Sequence, residues 1–191
     1  VRFLNAGAEI VTAREEFDVT FASALARPWY SSRVLPPPDD PVYSEISGAQ
    51  LFNLGRYAEA RVDFEKAYER KPDSPDTVCN LARVYRALGE YRKGIGVLEP
   101  FLGLAGAAKY DIYVLAGEAH RKSGDFGSAV AVLDKAISRY GVNASLLNGL
   151  GESYLGLGKW PEAMAAFEKS LQLFPDQPEV RKKLDDLKRR K

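Results

Sequence analysis

Four glycines set the terms of this chain. Gly55, Gly89, Gly124 and Gly158 stand 34, 35 and 34 residues apart. Two places after each comes an aromatic, Tyr57, Tyr91, Phe126 and Trp160, and three places further a small residue, Ala60, Gly94, Ala129 and Ala163. Self-similarity at such a period marks one supersecondary unit written several times, each copy burying its apolar face against its neighbours. The expectation is a stack of helix-turn-helix units.

The units run from about 41 to 74, 75 to 108, 110 to 143 and 144 to 177. In the first, Ile46, Leu51 and Leu54 belong to one helix, Val42 to Leu54. Ala60, Phe64 and Ala67, spaced by four and three, form the buried face of a second, Ala58 to Arg70. Lys71-Pro72-Asp73 ends it, because proline cannot continue a helix. Gly48, Ala82, Gly117 and Gly151 share one register place, small where the two helices of a unit are expected to cross closely. The aromatic after each turn glycine is expected to fill the space between adjacent units.

The second unit departs from this scheme. Gly94 stands where the other units have alanine, and Pro100 falls inside the expected second helix. Interior proline costs roughly 3 kcal/mol unless the helix ends there. Glu99-Pro100 is therefore expected to kink or shorten the helix. With Gly103, Gly106 and the 35-residue step, it makes the joint before the third unit the expected weakest seam. Residues 178–191 read as a last helix that places Val180, Leu184 and Leu187 on one face, covering the fourth unit's open apolar side.

Residues 1–40 lack the repeat. Glu16-Phe17-Asp18-Val19-Thr20-Phe21 alternates polar and apolar, the period of a half-buried strand, and Ala8 to Thr12 is strand-like too. A helix from Glu9 to Ala26 is the competing reading, favoured by its alanines. Pro36-Pro37-Pro38 then makes a stiff extended spacer. The segment is expected to be an arm, the tail of a β-rich domain lying upstream, since a two-stranded ribbon is rarely stable alone.

Gly48, Leu54-Gly55-Arg56-Tyr57, Ala60, Phe64, Ala67 and Pro72, with their counterparts in three further units, closely resemble the tetratricopeptide repeat. The resemblance implies an all-α, right-handed superhelical solenoid of helix-turn-helix repeats, here preceded by a partly β-like N-terminal arm. It also implies that the first helix of each unit lines a concave face. By register, that face takes Glu45, Ala49, Phe52 and Asn53 from the first unit and Asp76, Cys79, Asn80, Arg83 and Arg86 from the second. The third supplies Asp111, Val114, Leu115, Glu118, Arg121 and Lys122, the fourth Asn148, Glu152 and Leu155.

Asn53, Asn80 and Asn148 offer both donor and acceptor to an extended peptide backbone. Arg83, Arg86, Arg121 and Lys122 suit an acidic partner segment. The family's clamp for chaperone tails is matched at Asn80 but not at Glu45, Ala49 or Leu115, which speaks against that ligand.

Chemistry is sparse elsewhere. His120 is the one histidine, at the place held by Leu51, Tyr85 and Tyr154 in the other units, and reads as a packed ring in a structural slot. Cys79 is solitary, so neither a disulfide nor a Cys/His nucleophile is available. Gly151 to Trp160 fails as a phosphate loop, because Leu157 stands where lysine has to follow Gly156 directly and Trp160, not Ser or Thr, follows Lys159. No metal or cofactor motif occurs.

A formal net charge of +1 gives no reason to expect nucleic acid, and Lys188 to Lys191 reads as a solvated helix end. No apolar run approaches the roughly 18 residues of a membrane span. The start at Val1 reads as an excised fragment or a processed form. Cytoplasm and bacterial periplasm both stay open.

The expected function is non-catalytic: a protein–protein interaction scaffold or adaptor holding a peptide or protein segment on its concave face. The alternative is a structural or oligomerisation module of a larger bacterial protein, with a homodimer formed through the arm.

Overall fold

The structure, a computed structural model, describes residues 2–4, 10–12, 41–103 and 109–189. The expected strand at 16–21, the proline spacer at 36–38, Gly106 and the last two basic residues lie outside the described residues. The chain divides into two compact units, residues 1–90 and 91–191.

In the first unit, β1 (Arg2–Leu4) and β2 (Ile10–Thr12) pair antiparallel, with Phe3 opposite Val11. Three helices follow: α1 (Pro41–Asn53), α2 (Tyr57–Arg70) and α3 (Pro75–Ala87). α1 and α2 form an antiparallel pair whose crossing is set by Gly48, where a β-carbon would meet the Phe64 ring at 3.0 Å. Phe64 is wholly buried, with Ala60 and Ala67 on its face and Ile46 and Ala49 opposite. Ser47 donates to Asp63 at 2.6 Å across the pair. α3 starts under a Ser74 cap with proline at its first turn, which needs no N–H donor. It is tied to α1 by Thr77, which donates to Glu45 at 3.0 Å, and to α2 by Tyr85, which donates to Glu65 at 2.9 Å.

In the second unit, α4 (Tyr91–Leu102), α5 (Tyr110–Lys122), α6 (Phe126–Tyr140), α7 (Ala144–Gly156), α8 (Trp160–Leu173) and α9 (Pro178–Lys188) follow one another. α5–α6 and α7–α8 are tight pairs. Gly117 admits Leu133, and Gly151 lies directly against the Phe167 ring. α9 buries Val180, Leu184 and Leu187 on Ala163 and Phe167 of α8. At α9's own copy of the Gly151 place stands Asp185, which is exposed.

The turn glycines do what their period announced. At Gly55 (φ 74°) the amide donates to the Phe52 carbonyl at 3.0 Å, and the Arg56 amide to the Leu51 carbonyl at 2.8 Å. This is the left-handed helix stop that a β-carbon would strain. The same pair of bonds recurs at Gly89, Gly124 and Gly158.

Two expectations change. Leu54 is 59% exposed, because it lies past the last helical turn and points away from the pair. Trp160 is 44% exposed, whereas Phe126 packs on Gly156 of the following unit. One period beyond Gly156 stands Arg190 in place of a glycine, outside the described residues.

The joint at 99–109, expected to be the weakest seam, falls inside the second unit, with residues 104–108 outside the described residues. α4 is shortened, 12 residues against 14 in α2 and 15 in α6, with Pro100 just before its end. It nonetheless packs on α5: Leu98 and Phe101 are buried, and the Tyr113 hydroxyl donates to the Leu102 carbonyl at 3.5 Å.

Candidate functional site

The ten residues expected to face a ligand fall into two sets, one in each unit. In the first, Phe52 is half-buried and packs edge-on against Tyr57, ring centroids 5.1 Å apart, so it braces the α1–α2 turn. Asn53 ends α1, half-buried. On α3, Arg83 donates to the Asn80 side-chain carbonyl at 3.0 Å, and Arg86 is exposed in the last turn.

The second unit gathers more. Glu118 and Arg121 from α5, and Asn148 and Glu152 from α7, line one cleft of about 200 Å³. Val114, Leu133 and Leu146 give it an apolar part, and Gly117 and Gly149 let Leu133 rise between the two helices. Lys122 is exposed and is not among the lining residues. Among the neighbours expected on the same face, Ala49, Cys79 and Leu115 are buried instead. Each first helix has packed neighbours on two sides, so its buried stripe is wider than register alone suggests. On α3 seven of thirteen residues are buried.

α7 is set beside α5 by Asn143. Its side-chain carbonyl caps α7 by accepting from the Leu146 amide at 3.0 Å, while its amide donates to the Tyr110 hydroxyl at 3.0 Å. The cleft's charge is organised around Glu152. Arg121 meets one carboxylate oxygen at 2.5 Å, and Lys183 of α9 meets the other. The result is a ladder across α5, α7 and α9, with Arg121 and Glu152 each about a quarter exposed.

Asn148 is oriented by donating to the Gln177 side-chain carbonyl at 2.6 Å, and its own side-chain oxygen is buried with no hydrogen-bond partner. Gln177 is fixed in turn by its amide, which donates to the Ser170 carbonyl at 3.1 Å and the Phe174 carbonyl at 2.6 Å.

Sequence reasoning missed Lys183 and Gln177. The signal was present: Pro178 follows Ala144 by one period, so α9 occupies the place of a further first helix and its side chains reach α7.

His120 lies buried at the end of α5, as a packed ring in a structural slot. Among the described residues, no group of three or more His, Cys, Asp or Glu could hold a metal ion. Nor is any helix there long and apolar enough to cross a membrane.

Helix pairs at a 34-residue step, glycine-stopped turns and a closing helix on the last pair define a helical-repeat protein of the all-α solenoid class. Two family models described as tetratricopeptide repeat match it, over residues 51–101 and 114–178, together more than half the chain. The chain belongs to the tetratricopeptide-repeat family.

Among solved structures, MamA 41-end from Desulfovibrio magneticus RS-1 aligns with a TM-score of 0.72 at 18% identity, over 80% of this chain and 85% of that one. Another MamA crystal structure gives 0.70 at 21%, over 77% and 80%. TTC0263, a thermophilic TPR protein in Thermus thermophilus, gives 0.57 at 22%, over 78% and 82%. At such identities the likeness is one of fold. No curated protein sequence matches the chain. The repeat fold is that of non-catalytic interaction and scaffolding modules, and the chain is of that kind.

Proposed function

We propose that the chain holds an extended segment of a partner protein in the cleft between α5 and α7. The observation that carries this reading is the convergence there of Glu118, Arg121, Asn148 and Glu152, four of the ten residues the repeat register points to. An apolar strip through Leu146 gives a side chain somewhere to rest, and the unpartnered Asn148 oxygen lacks the N–H that an extended backbone offers. An acidic residue of the partner would take Glu152's place on Arg121, so the bound segment exchanges one ion pair for another. Salt screens the pair lost and the pair gained alike, so the exchange itself leaves binding little dependent on salt.

Ser145 is exposed on the cleft wall, so Ser145→Trp fills the cleft without disturbing the core. An array of short peptides of varied charge, probed with the full chain and with Ser145→Trp, tests the reading. Acidic peptides held by the full chain and lost at least tenfold in the variant support it. Capture unaffected by Ser145→Trp refutes the cleft.

The second reading is self-association through the arm. It is favoured by the β1–β2 ladder, since a two-stranded ribbon needs another surface to be stable. Val11→Pro disfavours the ladder, since proline is poorly accommodated within a strand. A dimer by light scattering that becomes a monomer in Val11→Pro would support this reading, and a monomer in both would end it.

A further inference from the structure

Two successive repeat joints carry a polar contact at the same place. Tyr85 on α3 donates to Glu65 on α2 at 2.9 Å. One period later His120 on α5 faces Glu99 on α4, with Nε2 3.9 Å from Oε1. One period later again stands Tyr154 on α7, its hydroxyl pKa raised first by burial and then by the charges of Asp134 on α6 and of Glu162. The acids stand 34 and 35 residues apart, and the groups that meet them 35 and 34.

The middle contact differs in kind. Its ring is an imidazole, 5% exposed, and a second carboxylate reaches it: Nδ1 lies 3.3 Å from Oδ2 of Asp125, which caps α6. The distance is short, yet Nδ1 has no hydrogen-bond partner. The backbone of the same residue closes the turn, its carbonyl accepting from the Asp125 amide and the Ser123 hydroxyl, both at 2.9 Å. The charged groups facing the ring are Glu99 from α4 and Asp125 from the start of α6. On its own helix, Arg121 turns to Glu152 and Lys122 is exposed.

A neutral imidazole has one N–H, so one of its nitrogens meets a carboxylate with a lone pair; an imidazolium presents N–H to both. We propose that His120 is a proton-operated latch at this joint. Its charged form ties α4 and the α5–α6 turn to α5, and loss of the proton slackens both. The tyrosine joints keep their protons across the range in which a histidine changes charge. Only the middle joint is therefore switched, whether or not a peptide occupies the cleft.

His120 is the chain's one histidine, so its ring resonances need no assignment. In an NMR pH titration of the full chain, the amides of residues 98–102 and 123–126 are expected to move with the ring. Hydrogen-exchange protection in α4, corrected for intrinsic rates, is expected to be about two- to fivefold higher on the acid side. His120→Tyr installs the residue of the neighbouring joints and should abolish both effects. Should that variant not fold, Glu99→Gln with Asp125→Asn removes both charges while keeping a cap-competent side chain. There the ring should titrate without α4 following. A wild-type ring that titrates while α4 protection stays constant, or rises on the alkaline side, overturns the latch.

Discussion

Gly117 faces Leu133 so closely that a β-carbon on it would stand 2.8 Å from Leu133 Cδ2. Gly149 approaches the same side chain from α7, at 3.0 Å from Cδ1. One leucine thus sets how near α5 and α7 come, and with it the floor of the cleft.

The contrast with Gly151 yields the first prediction. Leu133 meets that place with Cδ2 at 2.8 Å and Cγ at 2.9 Å, so its branched end has to shift as a whole, while alanine is the better helix former by about 1 kcal/mol. Gly117→Ala is therefore expected to cost about 1 kcal/mol, less than the change at Gly151. Gly151 lies against the wholly buried Phe167 ring, which has nowhere to go. Gly151→Ala is expected to cost about 1–3 kcal/mol through overpacking. Denaturant midpoints of the two variants side by side check the order; equal midpoints would contradict it.

Gln177 holds the α8–α9 connection to α7 through Asn148 and Ser170. Truncation leaves the buried Ser170 and the Asn148 amide short of partners. Gln177→Ala is expected to cost about 1–3 kcal/mol. Amide exchange should show α9 loosening first, with α5–α6 unaffected.

Glu152→Gln removes the charge shared by Arg121 and Lys183. All three groups are partly exposed, so a loss of about 1 kcal/mol or less is expected. The loss should shrink at high salt, because the pairs it reports are screened. A double-mutant cycle of Arg121→Gln with Glu152→Gln, run at low and high salt, measures the coupling.

Asp125 gives a dependence on acid. Its carboxyl is held below the ordinary 3.8, first by its side-chain hydrogen bond with Ser128, then by the Ser128 amide, with a smaller part from the charge of His120. A carboxylate depressed in the folded state lends stability above its unfolded value, and that stability is lost as pH falls through the folded one. The first turn of α6 is thus expected to weaken only below about pH 4. Asp125→Asn should flatten that decline, read as thermal midpoints on the acid side.

The repeat was legible because its marks are local. A left-handed glycine at 55, 89, 124 and 158, an alanine or glycine at the crossing and a proline after the helix each answer to the backbone of their own few residues. What stayed hidden depends on neighbours in space. Cys79 and Leu115 share the register of true cleft residues and are buried because adjoining helices cover them. Arg121 reads as one cation among four, but Glu152 one helix away takes it up. Trp160 matches Phe126 in sequence and lacks only the glycine that gives Phe126 its floor.

Asp185 carries a consequence for anyone who would lengthen this protein. It stands where Gly48, Ala82, Gly117 and Gly151 stand in the repeats, and it is exposed. A second helix laid on α9 in the repeat manner would press its largest side chain onto that carboxylate and strip it of water, a penalty of several kcal/mol. Asp185 therefore sets α9 apart from the first helices of the four units. Grafting another unit onto this series has to begin by changing Asp185 to glycine or alanine, before any residue of the added unit is chosen.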